Sequence, residues 1–172
     1  YSNAEGIDFI NIKVQQTMSV QQREYEVIIR AGEYQGKAGK RIYVNNSTVN
    51  LPSDIPVRND NDGKGFYVSE WDINVKEAKA LVEKLQARGI NAKLQIATVK
   101  SEDLNAAGRI ANKSNPYLYV SLHHNYYDSN STGYFSMYNA EDAVGKAMAD
   151  RLSNAIRDNG KVPQRASRAN DG

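Results

Sequence analysis

The only two histidines among 172 residues, His123 and His124, stand side by side in YLYVSLHHNYYD (117–128), where an alternating apolar run gives way to Asn125 and Tyr126. An imidazole at such a boundary is either a loop residue satisfied by nearby backbone or a ligand and proton carrier. Two carboxylates occupy comparable positions: Glu33 follows the apolar segment YEVIIR (25–30) through Ala31 and Gly32, and Glu70 opens a periodic segment. In open α/β sheets, sites gather at the carboxyl ends of strands, where loops and helix N-termini converge. A triangle of Glu33, Glu70 and His123 at one such edge would suit a hard-to-borderline divalent cation such as zinc, with a position left open for water. Ligand sets assembled from distant segments have no short sequence signature, so plain structural roles stay open for all three.

Composition narrows the chemistry. Cysteine is absent, which removes disulfides, thiolate zinc sites and thiol catalysis together and leaves His, Asp, Glu or water to hold a metal. The 22 basic and 20 acidic residues are dispersed and give a net charge of +2. No basic block tracks a phosphate backbone, so no nucleic-acid partner is expected, and the slight positive excess mildly favours an anionic polymer such as a bacterial wall. No apolar run approaches the roughly 20 residues of a membrane span, and the N-terminus has no charged-then-apolar signal pattern. The opening YSNA resembles a tag remnant, so residues 1–24 are expected to be that remnant plus an arm or edge strand, with Ile10, Ile12 and Val14 alternating over 7–16. Residues 25–172 are expected to form one domain around one core.

The elements that must position the candidate residues follow from periodicity. YEVIIR reads as a buried strand that opens into the glycine loop AGEYQGKAGK. Residues 36–68 are rich in Asn, Asp, Gly, Ser and Pro, with apolar islands only at RIYVNN and STVNLP, and read as a long excursion over the surface, with a hairpin as one form it can take. Residues 69–89 form a helix on Ala78, Leu81, Val82 and Leu85, ended by Gly89, with Ser69 and Asp72 spaced as a capping box. A strand over 91–99 follows, then a helix over 101–114 on Leu104, Ala107, Ile110 and Ala111, ended by Asn115-Pro116. Strands over 117–122 and 133–138 precede a third helix, 140–160, striped by Val144, Met148, Leu152, Ala155 and Ile156. Glu77 and Glu141 fall on charged helix faces. Helices alternating with strands predict an α/β fold of three layers: a mostly parallel twisted sheet with helices on both faces.

The segments EWDINVKEAKALVEKLQARGINAKL, LNAAGRIANKSNPYLYVSLHHN and GYFSMYN…VGKAMADRLSNAI together resemble the zinc-dependent N-acetylmuramoyl-L-alanine amidases, the family of bacterial autolysins, spore-cortex enzymes and phage endolysins. The resemblance covers roughly residues 26–172 and rests on the Glu that opens a helix before Asp-Ile-Asn, on RIAN (Arg109, Ala111, Asn112), and on Ser121-Leu122-His123-His124-Asn125. It implies an amidase/phosphorylase-like fold, a Zn2+ cofactor, peptidoglycan as partner, action at the bacterial wall by a host or phage protein, and a monomer. Glu70 and His123 would be two of the zinc ligands. Strand parity would turn the His124 ring to the opposite side, toward the rim. His124, Asn125, Tyr126 and Arg109 become candidate substrate contacts, and Tyr34, Tyr126, Tyr127 and Tyr134 candidate platforms for sugar rings, although a chain with eleven tyrosines places some in loops by chance.

Two departures from the family pattern matter. Glu33 stands where the family has its first zinc histidine, which puts an anion in place of a neutral imidazole and makes a bound water less acidic. The family's general base is a Glu after a final strand that follows the third helix. The chain ends in RASRANDG, read as stopping before that strand, so the base is expected beyond Gly172. The implied reaction is hydrolysis of the amide between N-acetylmuramic acid and L-alanine of the stem peptide by metal-activated water. The alternative is a catalytically degenerate domain that serves as a wall-binding or structural module of a larger lytic or phage protein.

Overall fold

A computed structural model of the chain describes residues 25–34, 41–44, 54–60, 63–97, 104–124, 134, 136–160 and 168–170. The expected strand over 7–16 and the STVNLP island lie outside the described residues. In chain order the elements are β1 (Val27–Tyr34), β2 (Arg41–Val44), β3 (Val57–Asp60), β4 (Gly65–Ser69), α1 (Glu70–Ala87), β5 (Ala92–Ala97), α2 (Leu104–Ser114), β6 (Leu118–Leu122), β7 (Met137–Asn139), α3 (Ala143–Asn159) and β8 (Arg168–Asn170). The chain divides into two compact units, one of residues 21–127 and one that takes in residues 128–172.

In the first unit β1 is the central strand of a parallel sheet ordered β5-β1-β6. Its Val27, Ile28, Ile29 and Ala31 are all buried, as a strand covered on both faces requires. Val27 to Ala31 run in register with Ala92 to Ile96 on one side and with Leu118 to Leu122 on the other, so all three carboxyl ends share one edge. The chain leaves β1 for β5 on one flank and returns to β6 on the other. That reversal opens a crevice where β1 and β6 end.

Helix α1 packs against this sheet through Ala78, Val82 and Leu85, and the same buried stripe continues upward into two polar residues, Asn74 and Glu70. Gly89, at φ 76°, ends the helix: its N–H donates to Gln86 O (2.9 Å) and that of Ile90 to Leu85 O (3.1 Å), with Ile90 and Leu85 both buried. This is the paired-bond stop that glycine's tolerance of left-handed backbone permits. The expected capping box does not form. Ser69 is the N-cap residue but makes no side-chain capping bond, and the Asp72 carboxylate instead accepts from Arg58 of β3 at 2.6 Å. A tertiary cation outcompetes the local backbone partner.

The stretch read as a surface excursion carries a second sheet, antiparallel and ordered β2-β4-β3. Gly63 (φ 78°) and Gly65 (φ 95°) make the turn between β3 and β4. Tyr43 and Arg58 both lie opposite Tyr67, and the buried Asp60 carboxylate accepts from Arg41 (2.8 Å) and Tyr43 (2.5 Å).

Helix α2 ends as expected before Pro116, with Asn115 at φ 45° and its N–H on Ala111 O at 2.9 Å. In the second unit, α3 packs on β7, and Asp142 caps it by accepting from Gly145 N at 2.8 Å. Its buried face is Met148, Ala149 and Ser153, whereas Val144 and Ile156 of the expected stripe stay 57% and 45% exposed. Strand β7 takes in the end of the predicted 133–138 and runs one residue past it, and it pairs in parallel with β8, a strand that the sequence reading did not anticipate after the third helix. A parallel three-stranded sheet flanked by helices thus stands, and the mixed α/β class with it. No helix among the described residues is long and apolar enough to cross a membrane.

Candidate metal centre

The crevice at the ends of β1 and β6 is where the candidate ligands meet. Past Ala31 the register of β1 against β5 breaks, and Tyr34 rather than residue 32 pairs with Ala97. Such a bulge re-aims a side chain. Glu33 sits within it at φ 62°, a left-handed conformation that costs a residue bearing a Cβ roughly 1–2 kcal/mol. Glu70 is the first residue of α1, where the helix dipole favours an anion, and is only 1% exposed. His123 is the first residue beyond β6.

One ligand atom from each of Glu33, Glu70 and His123 can be chosen so that all lie within 4.8 Å of one another. His123 Nδ1 is 3.2 Å from Glu70 Oε1. Two ligands held about 2.0–2.2 Å from one cation at a tetrahedral angle stand about 3.4 Å apart, so this pair has the spacing that zinc would need. The donor set fits the metal that the family resemblance implies, with the carboxylate of Glu33 as its unusual member.

The surrounding contacts hold these groups in place. Glu70 Oε1 accepts from the His124 backbone N–H at 3.1 Å, and Asn74 Nδ2 lies 3.5 Å away. Asn74 Nδ2 also donates to Gly32 O at 3.1 Å, and Asn74 Oδ1 is 2.8 Å from His124 Nδ1. On the other ring, His123 Nε2 is 3.1 Å from Ser121 Oγ, which in turn accepts from the buried Arg30 guanidinium at 3.3 Å. Hydrogen bonds of this kind fix the orientation of a ligating imidazole.

The other expected site residues fare differently. Strand parity predicted the two imidazoles on opposite sides, yet both engage α1, His123 through Glu70 and His124 through Asn74. Both lie beyond the end of β6, where alternation no longer governs direction. Arg109 is exposed on α2 and makes no hydrogen bond or ion pair to the three candidate ligands among the described residues. Asn125, Tyr126, Tyr127 and the side chain of Tyr34 lie outside the described residues. The Tyr134 hydroxyl donates to Ser153 O within the second unit, and burial pushes its pKa above the usual phenol value. Glu77 is half-exposed on α1, as a charged helix face implies, and its Oε1 is 3.5 Å from His124 Nε2.

Asn74, Gly32, Ser121 and Arg30 escaped notice as site residues. The spacing 70, 74, 78, 82 and 85 carried the signal for Asn74, since it extends the apolar stripe of α1 into two polar positions. Arg30 was detectable as a charge that follows directly on the apolar run Val27–Ile29 and is buried within β1.

A family model described as N-acetylmuramoyl-L-alanine amidase matches residues 58–171. The matched stretch takes in Glu70, Asn74 and His123, while Glu33 precedes it. No curated protein matches the chain, and no solved structure does. With well over half its length covered in this way, the chain belongs to the N-acetylmuramoyl-L-alanine amidase family.

Proposed function

We propose that this protein is a peptidoglycan hydrolase that cleaves the amide between N-acetylmuramic acid and the L-alanine of the stem peptide, at the centre formed by Glu33, Glu70 and His123. The observation that carries it is the convergence of those three side chains at the carboxyl edge of the parallel sheet in a member of the amidase family. Zinc bound there would supply Lewis-acid polarisation of the scissile carbonyl and lower the pKa of a water. The chain's own part is preorganisation. Glu70 is buried and tied to His124 N–H, and His123 is tied through Ser121 to Arg30, so neither ligand has to be ordered when the cation arrives. The site of action would be the bacterial wall, for a host or a phage protein alike.

Glu33 favours a second reading. Two carboxylates and one neutral imidazole cancel the charge of a divalent ion, which weakens its pull on a carbonyl or a water compared with a set that has one carboxylate. A domain of this kind could retain the metal and bind wall polymer without turnover. Metal analysis of protein purified without chelator, together with dye release from labelled peptidoglycan with and without added zinc, separates the two. Zinc-dependent release supports the hydrolase, retained zinc without release supports the wall-binding module, and absence of both metal and release overturns the metal centre. Glu33→His sharpens the comparison, because restoring the second imidazole should raise zinc affinity and release together.

A further inference from the structure

We infer that Asn74 is the positioning residue of this centre: a single buried amide ties the end of β1, the start of α1 and the end of β6 together, and thereby sets metal affinity without ligating the metal. The inference rests on the proposed metal centre and adds to it a residue that no ligand set contains.

The bonding pattern fixes which atom does what. A carbonyl oxygen only accepts, so the Asn74 atom 3.1 Å from Gly32 O must be the amide nitrogen, and the orientation of the whole amide follows. That places Oδ1 2.8 Å from His124 Nδ1, which must therefore carry a hydrogen and donate it. The Nδ2 group also stands 3.5 Å from Glu70 Oε1, the oxygen that accepts from His124 N at 3.1 Å and faces His123 Nδ1 at 3.2 Å. Gly32 is the residue before Glu33, so a bond to its carbonyl holds the peptide that leads into the left-handed Glu33. Each of the three candidate ligands is thus attached to Asn74 through no more than one intervening group.

Packing does not account for an asparagine here. Asn74 is 0% exposed on the stripe that continues into Ala78 and Val82, where an apolar side chain of similar size would fill the same volume with no polar group to satisfy. Its donor and its acceptor are both engaged, and the partners belong to the other two segments that build the crevice. With Nδ1 of His124 held by Asn74, the Nε2 atom of that ring is left on the side of Glu77, at 3.5 Å from its carboxylate.

The test compares Zn2+ and Co2+ affinity, measured by competition with a chromogenic chelator, among the parent, Asn74→Leu, Asn74→Asp and Val82→Ala. Loss of an outer-shell partner of this kind weakens metal binding by roughly 10–100-fold. Asn74→Leu should fall in that range with an altered Co2+ absorption spectrum. Asn74→Asp, which keeps an acceptor for His124 but has no N–H for Gly32 O, should not recover. Val82→Ala, on the same helix face but remote from the ligands, should lower the melting temperature and leave affinity within twofold. A folded Asn74→Leu that binds both ions as tightly as the parent overturns the inference. A parent that binds neither ion refutes the metal centre itself, a different failure from equal binding by parent and variant. Should the variants not fold, nitrogen NMR of the metal-free parent decides. A hydrogen on His124 Nδ1 with a slowly exchanging Asn74 amide supports the assignment, and a hydrogen on Nε2 alone overturns it.

Discussion

Gly32 and the His123 imidazole approach so closely that a Cβ on Gly32 would stand 2.5 Å from Cε1 and 2.6 Å from Nδ1 of the ring, with Leu122 O also in the way. No real Cβ tolerates such contacts, so Gly32→Ala must displace the ring or the backbone beside it and disturb the 3.2 Å spacing between His123 Nδ1 and Glu70 Oε1. We expect at least a tenfold loss of zinc affinity in chelator competition, with overpacking costing roughly 1–3 kcal/mol in urea unfolding. Unchanged zinc affinity in this variant would remove His123 from the ligand set.

Glu33 holds a left-handed backbone conformation beside a second carboxylate. Glu33→Gly relieves both, although glycine adds freedom to the unfolded chain, so the metal-free protein should gain up to ~1 kcal/mol. The same variant should lose most of the rise in melting temperature that added zinc gives the parent. Stability and metal response moving in opposite directions is the signature of a strained ligand. If both fall, the carboxylate has a structural role instead.

At the far end of α1, Gly89 carries φ 76° and closes the helix. Gly89→Ala should cost about 1–2 kcal/mol, read as a lower urea midpoint, because an L-residue resists that conformation. Zinc affinity should not change, since the ligands stand at the opposite end of the helix. An affinity loss there would mean that the whole helix, not its first turns, holds the site.

The second sheet makes a prediction about pH. The Tyr43 pKa is raised above the usual phenol value, chiefly because its hydroxyl donates to Asp60 and secondarily by burial. A folded-state pKa above the unfolded one means that the contribution to stability is intact below about pH 10 and is lost as pH climbs through the raised value. Ultraviolet titration at 295 nm should show Tyr43 and Tyr134 ionising late, and Asp60→Asn should shift Tyr43 alone toward the ordinary phenol range. If Asp60→Asn leaves the titration curve unchanged, the Tyr43–Asp60 bond does not persist in solution.

Local physics was legible along the chain. Apolar residues at Ala78, Val82 and Leu85 with Gly89 after them specify a helix and its end, because both signals act within a few residues of the backbone they shape. The apolar run at Val27–Ile29 specifies a central strand for the same reason. The short segments RIYV, VRND and GFYVS did not reveal a sheet. Each is too brief for a clear period, and what stabilises them is one another, with Asp60 reaching back to Arg41 and Tyr43.

The sequence by itself determined which residue types were on hand for chemistry, two histidines and no cysteine, and that Glu33, Glu70 and His123 fall near the ends of strands and the start of a helix. Only the tertiary structure decided that these ends share one edge, that a bulge turns Glu33 toward the others, and that both imidazoles face α1. The physical reason is range. Helix stripes and turns are set by neighbours in sequence, whereas the distance between Glu70 and His123 depends on parallel pairing of strands far apart in the chain, and the role of Asn74 on three segments that no local pattern relates.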